Sequence, residues 1–112
     1  MEIDYEDFKK LDIIVGKVKD CIDVEESENL YKLLVDCGES KLRQIVTGMK
    51  KYYDSEDFVG AKLIILRNLK PKKIMGIKSE GMVLAADVNH QPILLKLDEE
   101  KRDIVPPGSQ IK

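Results

Sequence analysis

The sequence predicts a small all-β fold, a five-stranded Greek-key barrel of the OB type with one short helix and extra elements at both ends. Three observations point there. Short apolar stretches rich in β-branched residues recur along the chain, separated by turn residues. The first three follow one another closely, as in a meander, and the one interior helix falls after the third, where a barrel of this type carries it. A length of 112 residues allows a single domain, 1–112, with one modest core.

Taken in order, residues 5–10 form a helical turn outside the barrel. Residues 11–24 (LDIIVGKVKDCIDV) make the first strand, with Gly16 as a bulge or bend. Residues 30–37 (LYKLLVDC) make the second, ended by the Gly38-Glu39-Ser40 turn, and residues 41–47 (KLRQIVT) the third, running into Gly48. Asp54 caps the helix, Ser55-Glu56-Asp57 place negative charge in its first turn, and Gly60 stops it. Lys62–Leu66 (KLIIL) is a buried fourth strand. After a basic loop, residues 81–86 (GMVLAA) and 92–97 (PILLKL) continue the sheet, and Pro106-Pro107-Gly108 turns into a short terminal strand.

Composition narrows the function classes. Apolar residues make up 43% and charged residues 36%, a globular balance. No apolar run approaches the roughly 18 to 20 residues that span a bilayer, and the start, MEIDYEDFKK, is acidic and polar, unlike a secretory signal. A cytoplasmic protein with no membrane partner is expected. Cys21 and Cys37 lie far apart in apolar strands and read as buried structural thiols, neither a metal set nor a disulfide.

The net charge of −2 conceals an asymmetry. Residues 1–40 carry five Lys and Arg against twelve Asp and Glu, whereas residues 41–79 carry ten against three. Between Phe58 and Ser79 there are six basic residues and no carboxylate. A basic segment inside an acidic chain suggests a localised anionic partner.

Catalytic chemistry finds little support. His90 lies in the turn-like run Asp87-Val88-Asn89-His90-Gln91-Pro92 and reads as exposed, without partners for a base. No GxSxG, GxxxxGK[ST], GxGxxG or HExxH pattern occurs. Glu25-Glu26-Ser27-Glu28 are adjacent, without the spaced oxygens and Gly of a calcium loop, and read as a solvated acidic loop. The expectation is a binding protein, not an enzyme, with no cofactor and no metal.

Arg67-Asn68-Leu69-Lys70-Pro71-Lys72-Lys73 follows the buried fourth strand directly, so its charges belong at a barrel rim. Pro71 stiffens the segment and lowers the entropy cost of binding. Asn68 donates and accepts, which suits a ribose or a base edge. Ser79-Glu80-Gly81-Met82 offers a hydroxyl, a glycine that permits close backbone approach, and an apolar side chain for a base to lie on. Tyr52 and Tyr53, beside Lys50-Lys51, add stacking surfaces. A charged loop with a structural Gly-Met pair reads the same way from these residues alone.

Several runs together carry a resemblance over nearly the whole chain: residues 8–13 (FKKLDI), 15–18 (VGKV), 35–38 (VDCG), 43–48 (RQIVTG), 68–71 (NLKP), Gly76, 79–86 (SEGMVLAA) and 107–109 (PGS). NLKP and SEGM with one Gly between them are the specific part. The sequence resembles the tRNA-binding domain family, found at the C-terminus of many methionyl-tRNA synthetases, in free-standing structure-specific tRNA-binding proteins and in CsaA-type chaperones. The resemblance implies an OB fold, a homodimer in the free-standing members, and binding to the outer corner of tRNA by shape, as an accessory to an aminoacyl-tRNA synthetase of the methionyl type. A binder of unfolded polypeptides is the alternative it implies. By position, Asn68, Lys70, Lys72, Lys73, Ser79 and Met82 match residues implicated in the tRNA contact, and Arg67 joins them at the rim. The chain departs from the pattern at Ile14, often Arg in the family, and in the acidic loop of residues 24–30, which would repel phosphate. Apolar residues near both ends, including Phe8, Leu11, Ile104, Val105 and Ile111, suit a two-fold pairing.

Overall fold

The computed structural model describes residues Met1 to Lys112. A single exposed helical turn, α1 (Tyr5–Lys9), precedes β1 (Ile13–Asp23), β2 (Tyr31–Asp36) and β3 (Arg43–Thr47). The short helix α2 (Ser55–Phe58) leads into β4 (Lys62–Leu66), β5 (Lys72–Ile74) and β6 (Ile77–Ser79). The chain continues through β7 (Met82–Val83), β8 (Ala85–Val88) and β9 (Gln91–Leu94) to a 3-10 turn, Arg102–Ile104. One antiparallel sheet in the order β3-β2-β1-β4-β7 curls into a nearly closed barrel, the OB-type architecture expected from the strand pattern.

β1 is long because it serves two neighbours. Residues 13–17 pair with β4 and residues 17–23 with β2, so the strand turns a corner midway. The irregularity lies between Val18 and Asp20, not at Gly16, which pairs in register with Leu63. Gly16 is required for space instead: a Cβ there would sit 2.7 Å from Val35 Cγ1 and 2.9 Å from Ile65 Cγ1, inside the core.

Alternation along the strands sets the interior. Tyr31, Leu33 and Val35 of β2 face inward while Lys32, Leu34 and Asp36 lie nearer the surface. With Ile14, Val18, Ile45, Leu63 and Ile65 they form one buried cluster. α2 delivers Phe58 beneath it, with no exposed surface, edge-on to Tyr31 and Tyr53 at centroid distances of 5.6 and 5.8 Å. Burying such a ring is worth about 1.5–3 kcal/mol. The helix needs only one turn to do so, and Asp57 Oδ2 locks its start by accepting the Asp54 N–H at 2.8 Å.

Three segments differ from expectation. The basic stretch after β4 is a hairpin, β5–β6, rather than a loop. The strand expected over residues 81–86 breaks at Leu84, so that β7 stays on β4 while β8 pairs with β9 in a second hairpin. The expected terminal strand is reduced to a seam along β1: Gly108 N donates to Val15 O, Val15 N to Ser109 O and Ile111 N to Ile13 O, at 2.7–2.9 Å. Pro106 and Pro107 have no N–H to extend it. Gly108 crosses Gly38 there, both at positive φ, and a Cβ on Gly38 would meet Pro107 O at 2.7 Å. No helix is long and apolar enough to cross a membrane.

Candidate nucleic-acid interface

The barrel closes between β3 and β7 through side chains more than through a ladder, and this closure holds the basic hairpin. Glu80 N donates to Gln44 O at 2.7 Å, and Gln44 N to Glu80 Oε1 at 3.2 Å. Gln44 Nε2 reaches Lys78 O at 2.9 Å. Ser79 is buried; its Oγ accepts the Val46 N–H at 3.0 Å and donates to Gly81 O at 3.1 Å. The β6 end of the hairpin is thus fastened to β3.

Two arginines brace the base of the hairpin. Arg43 donates through Nη1 to Glu80 O at 2.9 Å and to Arg67 O at 3.3 Å, on both flanks of the segment. Its Nε and Nη2 are held by the Glu39 carboxylate at 2.7 and 3.0 Å. The hydrogen bond from Arg43 holds the Glu39 carboxyl below its ordinary value. Arg67 pairs with Asp12 at 2.7 Å and donates to Cys37 O at 3.2 Å, so its guanidinium is engaged within the fold. Asn68 accepts the Asp12 N–H at 2.9 Å and donates to Lys10 O at 2.7 Å, clipping residues 10–12 to the rim.

The remaining cations point outward. Lys70, Lys72, Lys73 and Lys78 are exposed and form no ion pair, and Lys73 stands directly opposite Lys78 in the hairpin register. Like charges in that position repel. Beside them opens a groove of about 360 Å³ whose lining includes Lys70, Lys72, Leu69, Ile74, Met49 and Met82. Leu69 and Met82 are nearly half exposed, at 47% and 43%. Thr47 lies on the same groove, with its Oγ1 buried and unpartnered.

The sequence-predicted residues therefore fall into two groups. Lys70, Lys72, Lys73 and Met82 present their side chains at the groove and hairpin, whereas Arg67, Asn68 and Ser79 make hydrogen bonds that shape it. Sequence reasoning misses Arg43, Gln44, Leu69 and Ile74; RQIVTG holds the first two as part of the family pattern, but no local signal gives them a role. Of the two tyrosines, Tyr52 is exposed, while Tyr53 packs on Phe58 and accepts the Leu94 N–H at 3.2 Å. Lys50 is drawn to the acidic loop, donating to Ser27 O at 2.9 Å and Val24 O at 3.2 Å. Burial, aided by Asp23 and Asp20, pushes the Cys21 thiol up to about 11, and burial raises Cys37 likewise to about 11. Both are free and stay protonated at neutral pH.

The chain is similar to several known proteins. A methionine–tRNA ligase of Methanosarcina acetivorans is 48% identical over 111 residues, 99% of this chain but 15% of the ligase. The chain spans only 12–16% of the length of the methionine–tRNA ligases it matches. A MetRS-related protein from Pyrococcus horikoshii superposes with a TM-score of 0.87 at 36% identity, covering 100% of both chains. The chaperone CsaA of Bacillus anthracis follows at 0.84 and 28%, again over 100% of both. The family model described as a putative tRNA binding domain matches residues 13–110, and the chain belongs to that family.

Proposed function

We propose that this chain is a non-catalytic cytoplasmic module that binds folded tRNA by shape and serves a methionyl-type aminoacyl-tRNA synthetase. The observation that carries the reading is the combination of four lysines free of ion pairs with an apolar groove at the braced rim. Ammonium groups meet phosphates, and the exposed faces of Leu69 and Met82 offer a surface to a base or ribose. A-form RNA presents phosphates and 2′-hydroxyls rather than a readable major groove, so a rigid basic rim recognises architecture. Rigidity is the contribution of Arg67, Asn68 and Ser79, which set where Lys70, Lys72 and Lys73 stand. Joining a modest RNA contact to a synthetase raises the effective tRNA concentration at the enzyme. Exposed Leu11 and Ile104, at 46% and 80%, support a homodimer that pairs two such rims.

The same groove favours one other reading, a CsaA-like binder of unfolded polypeptide, because half of its lining is apolar. Binding of folded tRNA, single-stranded RNA and an unfolded polypeptide, each followed by fluorescence anisotropy at several salt concentrations, separates the two. Tightest binding to folded tRNA with a steep salt dependence is expected. Preference for the polypeptide with little salt dependence would overturn the tRNA reading in favour of the chaperone one. The isolated chain is expected neither to aminoacylate tRNA nor to hydrolyse ATP.

A further inference from the structure

We infer a second phosphate-binding site on the outside of the barrel, at the end of β4 away from the basic hairpin, where a further stretch of the RNA backbone is held. The inference rests on the tRNA-binding reading and extends its footprint.

A cavity of about 560 Å³ lies between the β1–β4 pair, the turn of residues 59–61 and the C-terminal segment of residues 96–103. That volume falls within the roughly 300–1,000 Å³ of small-ligand sites. Its lining includes four basic residues, Lys17, Lys62, Lys96 and Arg102, against two acidic ones, Glu99 and Asp103. Lys17 and Lys62 are half-buried and stand directly opposite each other in the β1–β4 register. Like charges so placed destabilise a sheet.

The fold provides these cations with few partners. None of the four basic residues forms an ion pair, in a chain with 21 Asp and Glu to supply one. Asp36 stands opposite Lys17 on the β2 side and is its acidic neighbour, but the two form no ion pair. Lys62 Nζ donates to the main-chain oxygen of Arg102 at 2.7 Å. This bond ties the C-terminal segment to the barrel, brings the Arg102 backbone beside Lys62, and leaves two ammonium hydrogens unused. An anion entering the cavity relieves the Lys17–Lys62 repulsion. The carboxylates of Glu99 and Asp103 accept hydrogen bonds from ribose hydroxyls, so the mixed lining suits a ribonucleotide unit better than a simple anion.

Lys62 and Leu66 are four residues apart, about 13 Å along the strand, and Arg67 opens the hairpin segment immediately afterwards. Two cationic regions thus flank one short rigid strand. A folded RNA held at the hairpin brings its backbone to the second site as an intramolecular contact.

The test is the double variant Lys17→Gln with Lys96→Gln, which leaves the Lys62 tether intact, with a thermal melt to show that it folds. Its affinity for tRNA is expected to fall about tenfold. The slope of log affinity against log salt should flatten by about 0.7–0.9 for each phosphate no longer neutralised. Inorganic pyrophosphate is expected to shift the backbone amide resonances of Lys17, Ala61, Lys62 and Lys96 in the wild type and not in the variant. If the double variant binds tRNA as tightly as wild type with an unchanged slope, while the hairpin lysine variants bind weakly, the second site is refuted and the tRNA reading stands. Pyrophosphate shifts in wild type beside unaltered tRNA binding would mark a site for free phosphate and overturn the RNA contact. Failure of the wild type to bind folded tRNA at all would remove both.

Discussion

The β5–β6 and β8–β9 hairpins each turn through two residues at positive φ, Met75-Gly76 at 50° and 78° in the first and Asn89-His90 at 50° and 70° in the second. The second follows the usual chemistry of such turns, with Asn in the left-handed region and Asp87 Oδ1 accepting the His90 N–H at 2.8 Å. In the first, a methionine holds a conformation that disfavours a Cβ. Their anchoring differs as well. Side chains of β3 hold the β6 end at the Lys78 and Glu80 carbonyls and the Val46 N–H of β3 donates to Ser79 Oγ, whereas Tyr53 accepts one bond from the end of β9. The first presents lysines at its face; the second carries Asp87 and His90. Hairpin shape is therefore common to both, and what sets one apart is the brace beneath it and the charge upon it.

The comparison breaks first at the lysines. Removing Lys70, Lys72 and Lys73 together as alanines is expected to weaken tRNA binding about 100-fold, with the salt slope flatter by about 0.7–0.9 for each phosphate that the variant leaves unneutralised. Asp87→Ala and His90→Ala should leave both quantities unchanged. Next comes the brace. Arg43→Met strips partners from Glu39 and from the Arg67 and Glu80 carbonyls, at a cost of about 1.5–3 kcal/mol in chemical denaturation. Affinity should also drop while the salt slope holds, because Arg43 releases no counterion. Thr47→Val removes a buried hydroxyl that has no partner, and is expected to raise stability by about 1 kcal/mol. Met75→Gly should add about 1 kcal/mol by relieving the turn, and Asn89→Met should subtract a similar amount from the other hairpin.

The smallest effect is one of pH. The folded Glu39 carboxyl titrates below its ordinary 4.5, so its contribution is present above that value and is lost as pH falls through the lower, folded one. The gap in melting temperature between wild type and Glu39→Gln should close over that range, seen by circular dichroism melts from pH 7 down to pH 3.

Much of the barrel is readable in the sequence because inward residues alternate with outward ones, as at Tyr31, Leu33 and Val35, and because Asp54 and Gly60 bracket the one interior helix. The β5–β6 hairpin is not, since Lys72-Lys73-Ile74 lacks an apolar alternation and Met75-Gly76 is an unusual turn pair. Gly16 reads as a bend because a glycine required by crowding and one needed for a turn are the same letter. At the site, the lysines are visible as a charge run. The engagement of Arg67 and Asn68 is hidden because their partners, Asp12 and Lys10, lie 55 and 58 positions away. Long-range pairs leave no local pattern.

The seam between residues 13–15 and 108–111 has a further consequence, for how the chain is made. Val15 and Ser109 are 94 positions apart, yet each completes the other's hydrogen bonding. At about 5–20 residues per second, synthesis leaves the outer edge of β1 without that partner for about 5–20 s after β1 is translated. An apolar strand with open N–H and C=O groups is a template for pairing with other chains, so the nascent barrel is most prone to association in that interval, and the arrival of Gly108 and Ser109 ends it.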